Sequence, residues 1–280
     1  MTRPVGIEIF YWLDRWSDDQ SSVFSKAAEA GYEGVEISLV AGLDVGVERM
    51  ARTADSLGLQ VLCSTGLRPT MDISSPDSSV RRAGVDHLRR CLDDSARLGS
   101  PILGGVTYAT WMGFFDGDPD GYRERSAAAM HEVADYASTL GIDVCLEVLN
   151  RFETFMFNTV AGCLEFIGMV DHPSVKVELD TFHMNMEEDD LAGAVRLAGS
   201  RIGHVQVAAN NRRAPQYGHI DWASFSQALD EAGYEGWVVF ETFPNSKVET
   251  GQATYAWRDL TDRPDEDAAE AARFIRENIA

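Results

Sequence analysis

A 280-residue chain with a formal net charge of −21 repels nucleic acid phosphates and anionic membrane surfaces alike. With 45% hydrophobic and 10% aromatic residues it is no disordered chain and has ample material for a large core. Four well-separated cysteines (Cys63, Cys91, Cys145, Cys163) argue for reduced thiols. With no apolar leader and no apolar run of the ~18 residues a membrane helix needs, a cytoplasmic protein is expected.

Strand-like and helix-like patterns alternate along the chain. Residues 5–12 read as a first strand, with Ile7 and Ile9 turned to helices and Glu8 inward. A helix follows over 18–30, stopped by Gly31, then a strand over 34–39 with Val35 and Ile37 alternating against Glu36 and Ser38. A helix over Val45–Leu57, a strand over 59–65, a helix over 77–98 and a strand over 101–108 come next. Within that strand, Gly104-Gly105 leaves room for a ligand or a neighbouring backbone. An aromatic stretch at 110–115 leads to a helix over 118–140, a strand over 142–149 and a helix over 159–170. The last units are a strand over 175–182, a helix over 187–198, a strand over 201–208, a helix over 222–232, a strand over 237–243 and a closing helix over 265–279. Eight such units in a chain of this length predict a closed (β/α)₈ barrel, one domain over 1–280, rather than an open sheet. No strand is followed by a Gly-x-Gly-x-x-Gly turn, which counts against a doubly wound alternative.

Four strands in the second half end on a polar group: Glu147, Asp180, Gln206 and Glu241. Each follows an apolar residue of opposite parity, so where that neighbour packs against helices the polar group points into the barrel. Barrel active sites lie at the C-terminal strand ends. Three carboxylates and an amide oxygen there form a hard, oxygen-rich set that suits Mg²⁺, Mn²⁺ or Co²⁺. Spacing alone leaves a second arrangement equally open, in which these groups form ion pairs with Lys176, Arg151 or Arg212.

Two blocks carry a resemblance. Leu146-Glu147-Val148-Leu149-Asn150-Arg151-Phe152-Glu153 with Asn158-Thr159, and Val177-Glu178-Leu179-Asp180-Thr181-Phe182-His183-Met184-Asn185, resemble the ketose 3-epimerases. Those enzymes act on D-tagatose and D-allulose and belong to the xylose-isomerase-like TIM barrels. The similarity continues through Gly203-His204, Asn211-Arg212 and Phe240-Glu241, and more loosely in Tyr11-Trp12 and Ser64-Thr65-Gly66. It implies one Mn²⁺-type ion per subunit held by Glu147, Asp180, Gln206 and Glu241, with Glu147 and Glu241 also acting as an acid/base pair. It further implies that His183, Arg212 and Glu153 bind the substrate, and that the chain forms dimers or tetramers. A ketose's C2 carbonyl and C3 hydroxyl can chelate one cation, which acidifies the C3–H; two carboxylates then exchange the proton between faces through a cis-enediolate. The family places His where this chain has Gln206, and Gly203-His204-Val205-Gln206 is similar instead to the hydroxypyruvate isomerases. An amide oxygen preserves coordination but leaves the substrate less determined.

Trp111 is expected at the substrate, with Tyr11 and Tyr108 as weaker candidates; Phe114, Phe115 and Phe152 either wall the sugar or pack a loop. His204, one layer deeper, reads as a hydrogen-bonded lumen histidine, and Glu8 and Glu36 as structural lumen acids. His87, His131 and His172 are expected at the surface. Without a lysine-rich or glycine-rich phosphate cradle, the substrate is expected to be a free sugar. Isomerisation of hydroxypyruvate or an aldose, or cleavage of a 3-keto sugar, would use the same site. The zinc endonucleases of abasic DNA share the architecture, but they need several histidines where this chain has six in all, and its charge opposes DNA.

Overall fold

The computed structural model describes residues 2–40 and 46–280. Eight strands pair in sequence order, all parallel, and β1 closes onto β8: β1 Val5–Glu8, β2 Gly34–Ser38, β3 Gln60–Leu67, β4 Ile102–Thr110, β5 Asp143–Glu147, β6 Val175–Asp180, β7 Ile202–Val207 and β8 Val238–Phe240. The helices between them are α1 Phe24–Ala30, α2 Val47–Leu57, α3 Ser78–Leu98, α4 Pro119–Leu140, α5 Val160–Val170, α6 Thr181–Glu187, α7 Leu191–Ala198, α8 Trp222–Glu231, α9 Glu249–Ala253 and α10 Pro264–Asn278. The expected (β/α)₈ barrel is therefore present. Of the helix expected over 45–57, Val45 lies outside the described residues.

Alternation does the sorting. Ile7, Val35, Ile37, Val61, Leu103, Val144, Val177, Val205 and Phe240 join the main core between strands and helices. Residues of the other parity, Leu62, Ile102, Cys145 and Val239, form a separate buried cluster with Trp237 that fills the barrel interior. Helices α1 to α4 end at Gly31, the expected stop, and at Gly58, Gly99 and Gly141, all in the left-handed conformation.

α9 has no counterpart in the expected elements, and three further differences concern two strand ends and the placement of one side chain. β1 stops at Glu8, whose carboxylate caps a short 3-10 turn over Ile9–Tyr11. β6 stops at Asp180, and α6 begins at once because the Asp180 side chain accepts the Phe182 N–H at 2.8 Å. A strand expected to run to residue 182 thus gives way to a helix that carries His183. His87 is buried, not at the surface: it lies on the inner face of α3 with Leu88 and Cys91, and contacts Thr65 Oγ1 at 3.2 Å. No helix among the described residues is long and apolar enough to cross a membrane.

Candidate active site

The register of β6 against β7 builds two polar layers. Glu178 pairs with His204 and, two residues on, Asp180 pairs with Gln206. Period-two alternation keeps both pairs on the lumen face.

In the deeper layer Glu36, Glu178 and His204 are fully buried. His204 Nε2 lies 2.8 Å from Glu36 Oε2, and the Gly105 N–H donates to Glu178 Oε2 at 2.8 Å. A Cβ on Gly104 would come within 2.5 Å of that same oxygen, and one on Gly105 within 2.5 Å of the Thr65 carbonyl oxygen, so the paired glycines make room for a carboxylate and, as expected, for a neighbouring backbone. Burial, then the Glu36 charge, pushes Glu178 up to about 8. The His204 ring, which burial alone would depress, is raised by Glu36 and Glu178. Of the lumen groups read from sequence, His204 and Glu36 lie in this layer, whereas Glu8 lines the cavity described next.

The upper layer faces a cavity of about 710 Å³ at the C-terminal strand ends, lined by Glu147, Gln206, Glu241, His183, Arg212 and Glu153 among others. Asp180 sits behind it, fully buried. Candidate ligand atoms of Glu147, Asp180 and His183 all lie within 4.8 Å of one another. Arg212 bridges two of the acids, with Nη1 at 2.5 Å from Asp180 Oδ2 and Nη2 at 2.6 Å from Glu241 Oε2. Of the three cations open to ion pairing, Arg212 is the one that engages these groups; Arg151 pairs with Glu187 at 2.7 Å instead. Phe182 and Phe243 flank the Arg212 guanidinium at 4.7 and 5.8 Å.

Burial and the Glu241 charge push Glu147 well above the usual carboxylate range. Burial does the same to Glu241, over the opposing pull of Arg212. Asp180 moves the other way: burial would raise it, but Arg212 and His183 together hold it down. Asp180 is thus shifted toward the ionised form, and Glu147 and Glu241 toward the protonated one.

His183 has a fixed orientation. The Asn150 backbone N–H and side-chain amide both point at its Nδ1, at 3.3 and 2.7 Å. A backbone N–H can only donate, so Nδ1 accepts and the neutral ring carries its hydrogen on Nε2. That Nε2 lies 3.5 Å from both Glu147 Oε1 and Asp180 Oδ2. Asn150 also donates to Glu153 Oε1 at 2.8 Å, and Trp111 Nε1 donates to Glu153 Oε2 at 3.0 Å. Trp111 lines the cavity. Tyr108 and Tyr11 do not: Tyr108 donates inward to the Glu147 carbonyl at 2.9 Å, and Tyr11 to Pro264 O at 2.8 Å.

Gln206 is the departure noted in the sequence. Its Nε2 donates to Glu36 Oε1 at 3.0 Å, while its Oε1 is buried and accepts no hydrogen bond among the described residues. Sequence reasoning missed one wall of the cavity, formed by Thr254, Tyr255, Ala256, Trp257 and Arg258 after α9. No periodicity marks this segment; its exposed aromatics, Tyr255 and Trp257, were the available signal.

The chain matches the family described as xylose isomerase-like TIM barrel over residues 24–278. The D-psicose 3-epimerase of Ruminiclostridium cellulolyticum is 36% identical over 93% of this chain and 91% of its own length. The crystal structure of D-allulose 3-epimerase from Methylomonas sp. in complex with D-allulose superposes with a TM-score of 0.93 at 32% identity, covering 99% of this chain and 97% of that one. D-psicose 3-epimerase from Clostridium cellulolyticum H10, solved with D-tagatose, gives 0.93 at 34% identity over 100% and 99%. The chain therefore belongs to the xylose isomerase-like TIM barrels and, within them, to the ketose 3-epimerases, as a sugar epimerase.

Proposed function

We propose that this enzyme epimerises free ketoses at C3, with one divalent cation, Mn²⁺ foremost and Mg²⁺ or Co²⁺ as alternatives, held by Glu147, Asp180, Gln206 and Glu241. The observation that carries this reading is the convergence of Glu147, Gln206 and Glu241 on one cavity with Asp180 buried directly behind them. The donor set fits the ion. It is made of hard oxygens, and the orphaned Gln206 Oε1 is a buried acceptor in need of a partner. His183 fits a different role, since its Nε2 hydrogen makes it a donor rather than a ligand.

The cation, when bound, supplies positive charge that polarises the substrate carbonyl. The chain's own groups do the rest. Glu147 and Glu241 enter the cavity from strands separated by β6 and β7, and both take up protons readily, so one removes the C3 proton while the other returns one. The negative charge of the cis-enediolate is met by the His183 Nε2–H and the Arg212 guanidinium. Glu153, fixed by Asn150 and Trp111, accepts a substrate hydroxyl, and the Trp111 ring lies along the sugar's apolar face.

The test is turnover of D-fructose, D-tagatose, L-ribulose and hydroxypyruvate by chelator-treated protein, with and without added Mn²⁺. Interconversion of C3 epimers that depends on the metal is the expected result. Gln206 in the Gly-His-Val-Gln context favours a second reading, hydroxypyruvate isomerisation by the same residues, and turnover of that substrate alone would select it.

A further inference from the structure

We infer that Glu36 is a positioning residue whose carboxylate holds the Gln206 nitrogen and so leaves the Gln206 oxygen, and not its nitrogen, free for the cation. The inference rests on the cation site proposed above and concerns a residue outside it: Glu36 does not line the cavity and is fully buried.

A carboxamide has two nearly isosteric orientations that differ by a half-turn, one offering an acceptor and the other two N–H donors. Only the first can meet a cation. Nothing in Gln206 itself chooses between them. Glu36 does, because an ionised carboxylate only accepts hydrogen bonds, so the face of the amide turned toward Glu36 Oε1, at 3.0 Å, has to be Nε2. The oxygen is then left aimed the other way, buried and without a partner.

Glu36 cannot swing aside either. Its second oxygen is engaged by His204 Nε2 at 2.8 Å, and the β6–β7 register sets His204 against Glu178, itself pinned by the Gly105 N–H. The arrangement matches the way outer carboxylates orient the imidazoles that bind metals, here acting on an amide.

The experiment measures Mn²⁺ affinity of the full chain, stripped with chelator, by isothermal titration. The variants are E36M, which keeps the volume without an acceptor, E36Q, which keeps one acceptor, and each of these with Q206A. Wild type is expected to bind one Mn²⁺ per chain; E36M weakens binding about 10- to 100-fold and E36Q only about threefold. In the Q206A background neither change at Glu36 matters beyond about twofold, because the residue acts through Gln206. Losses that multiply in the double variants, or an E36M chain that binds Mn²⁺ like wild type, overturn the inference while leaving the proposed function standing. A wild-type chain that binds no Mn²⁺ overturns both. Should E36M fail to fold, the E36Q pair decides: a loss that is the same with and without Q206A counts against positioning.

Discussion

Two carboxylate-bearing layers stand two residues apart along the same strands, and they differ in what they leave open. The deeper one is nearly closed on itself: Glu36 binds His204 and Gln206, Glu178 takes a backbone N–H, and only Glu178 Oε1 and His204 Nδ1 lack a partner. In the upper one, Glu147 meets His183 only at 3.5 Å, Gln206 Oε1 has no donor among the described residues, and Glu241 pairs with a guanidinium that itself lines the cavity. The same residue types serve opposite ends. Where polar groups satisfy each other they fix the barrel, and where they face a cavity unsatisfied they are available to a ligand.

The contrast is sharpest in activity. E147Q and E241Q are each expected to lower kcat about 10³-fold with unchanged near-UV circular dichroism, as loss of a general acid or base does. A loss under tenfold at either would remove it from the pair. In the deeper layer E178Q is expected to leave stability within about 1 kcal/mol, because a carboxyl whose pKa is about 8 is already mostly neutral at pH 7.

A smaller effect separates two buried histidines. His204 lies among carboxylates and its pKa is raised, so its contribution to stability is complete below the unfolded value and is lost as pH rises through the folded one. His87 pairs with no acid among the described residues and instead contacts Thr65 and Cys91. Burial, then Arg90 and Arg68, push it down to about 4. Its folded state favours the neutral ring, so stability is full above the unfolded value near 6.5 and falls as pH drops toward 4, by at most about 3 kcal/mol. Urea midpoints measured across that window should lose most of this slope in H87Q, and an unchanged slope would assign it elsewhere.

The smallest change tests the closed layer directly. G104A sets a methyl at 2.5 Å from Glu178 Oε2, in a place where that side chain has no room to retreat. A loss of about 1–3 kcal/mol is expected from overpacking, read as a lower melting temperature; a neutral result would mean that the carboxylate can move.

Much of this is legible without any coordinates. Strand parity alone brings Glu147, Gln206 and Glu241 to the cavity and Asp180 just behind it. What parity cannot give is the partner across the lumen, since pairing Glu36 with Gln206 depends on how eight strands close. The surface placement expected for His87 fails, although Gly84, His87, Leu88, Cys91 and Ser95 recur at helical spacing on the buried side of α3. The end of β6 is misplaced because Thr-Phe-His reads as extended, while the Asp180 cap that overrides it is a single side-chain contact. The wall over 254–258 has no periodicity to read, only the aromatics Tyr255 and Trp257.

Asp180 illustrates how little freedom such a site leaves. One of its oxygens starts α6 and so sets the place of His183; the other accepts from Arg212, which lines the cavity. Foundation and working surface are the same three atoms. A change at Asp180 would therefore unseat a second functional group, His183, along with the carboxylate itself.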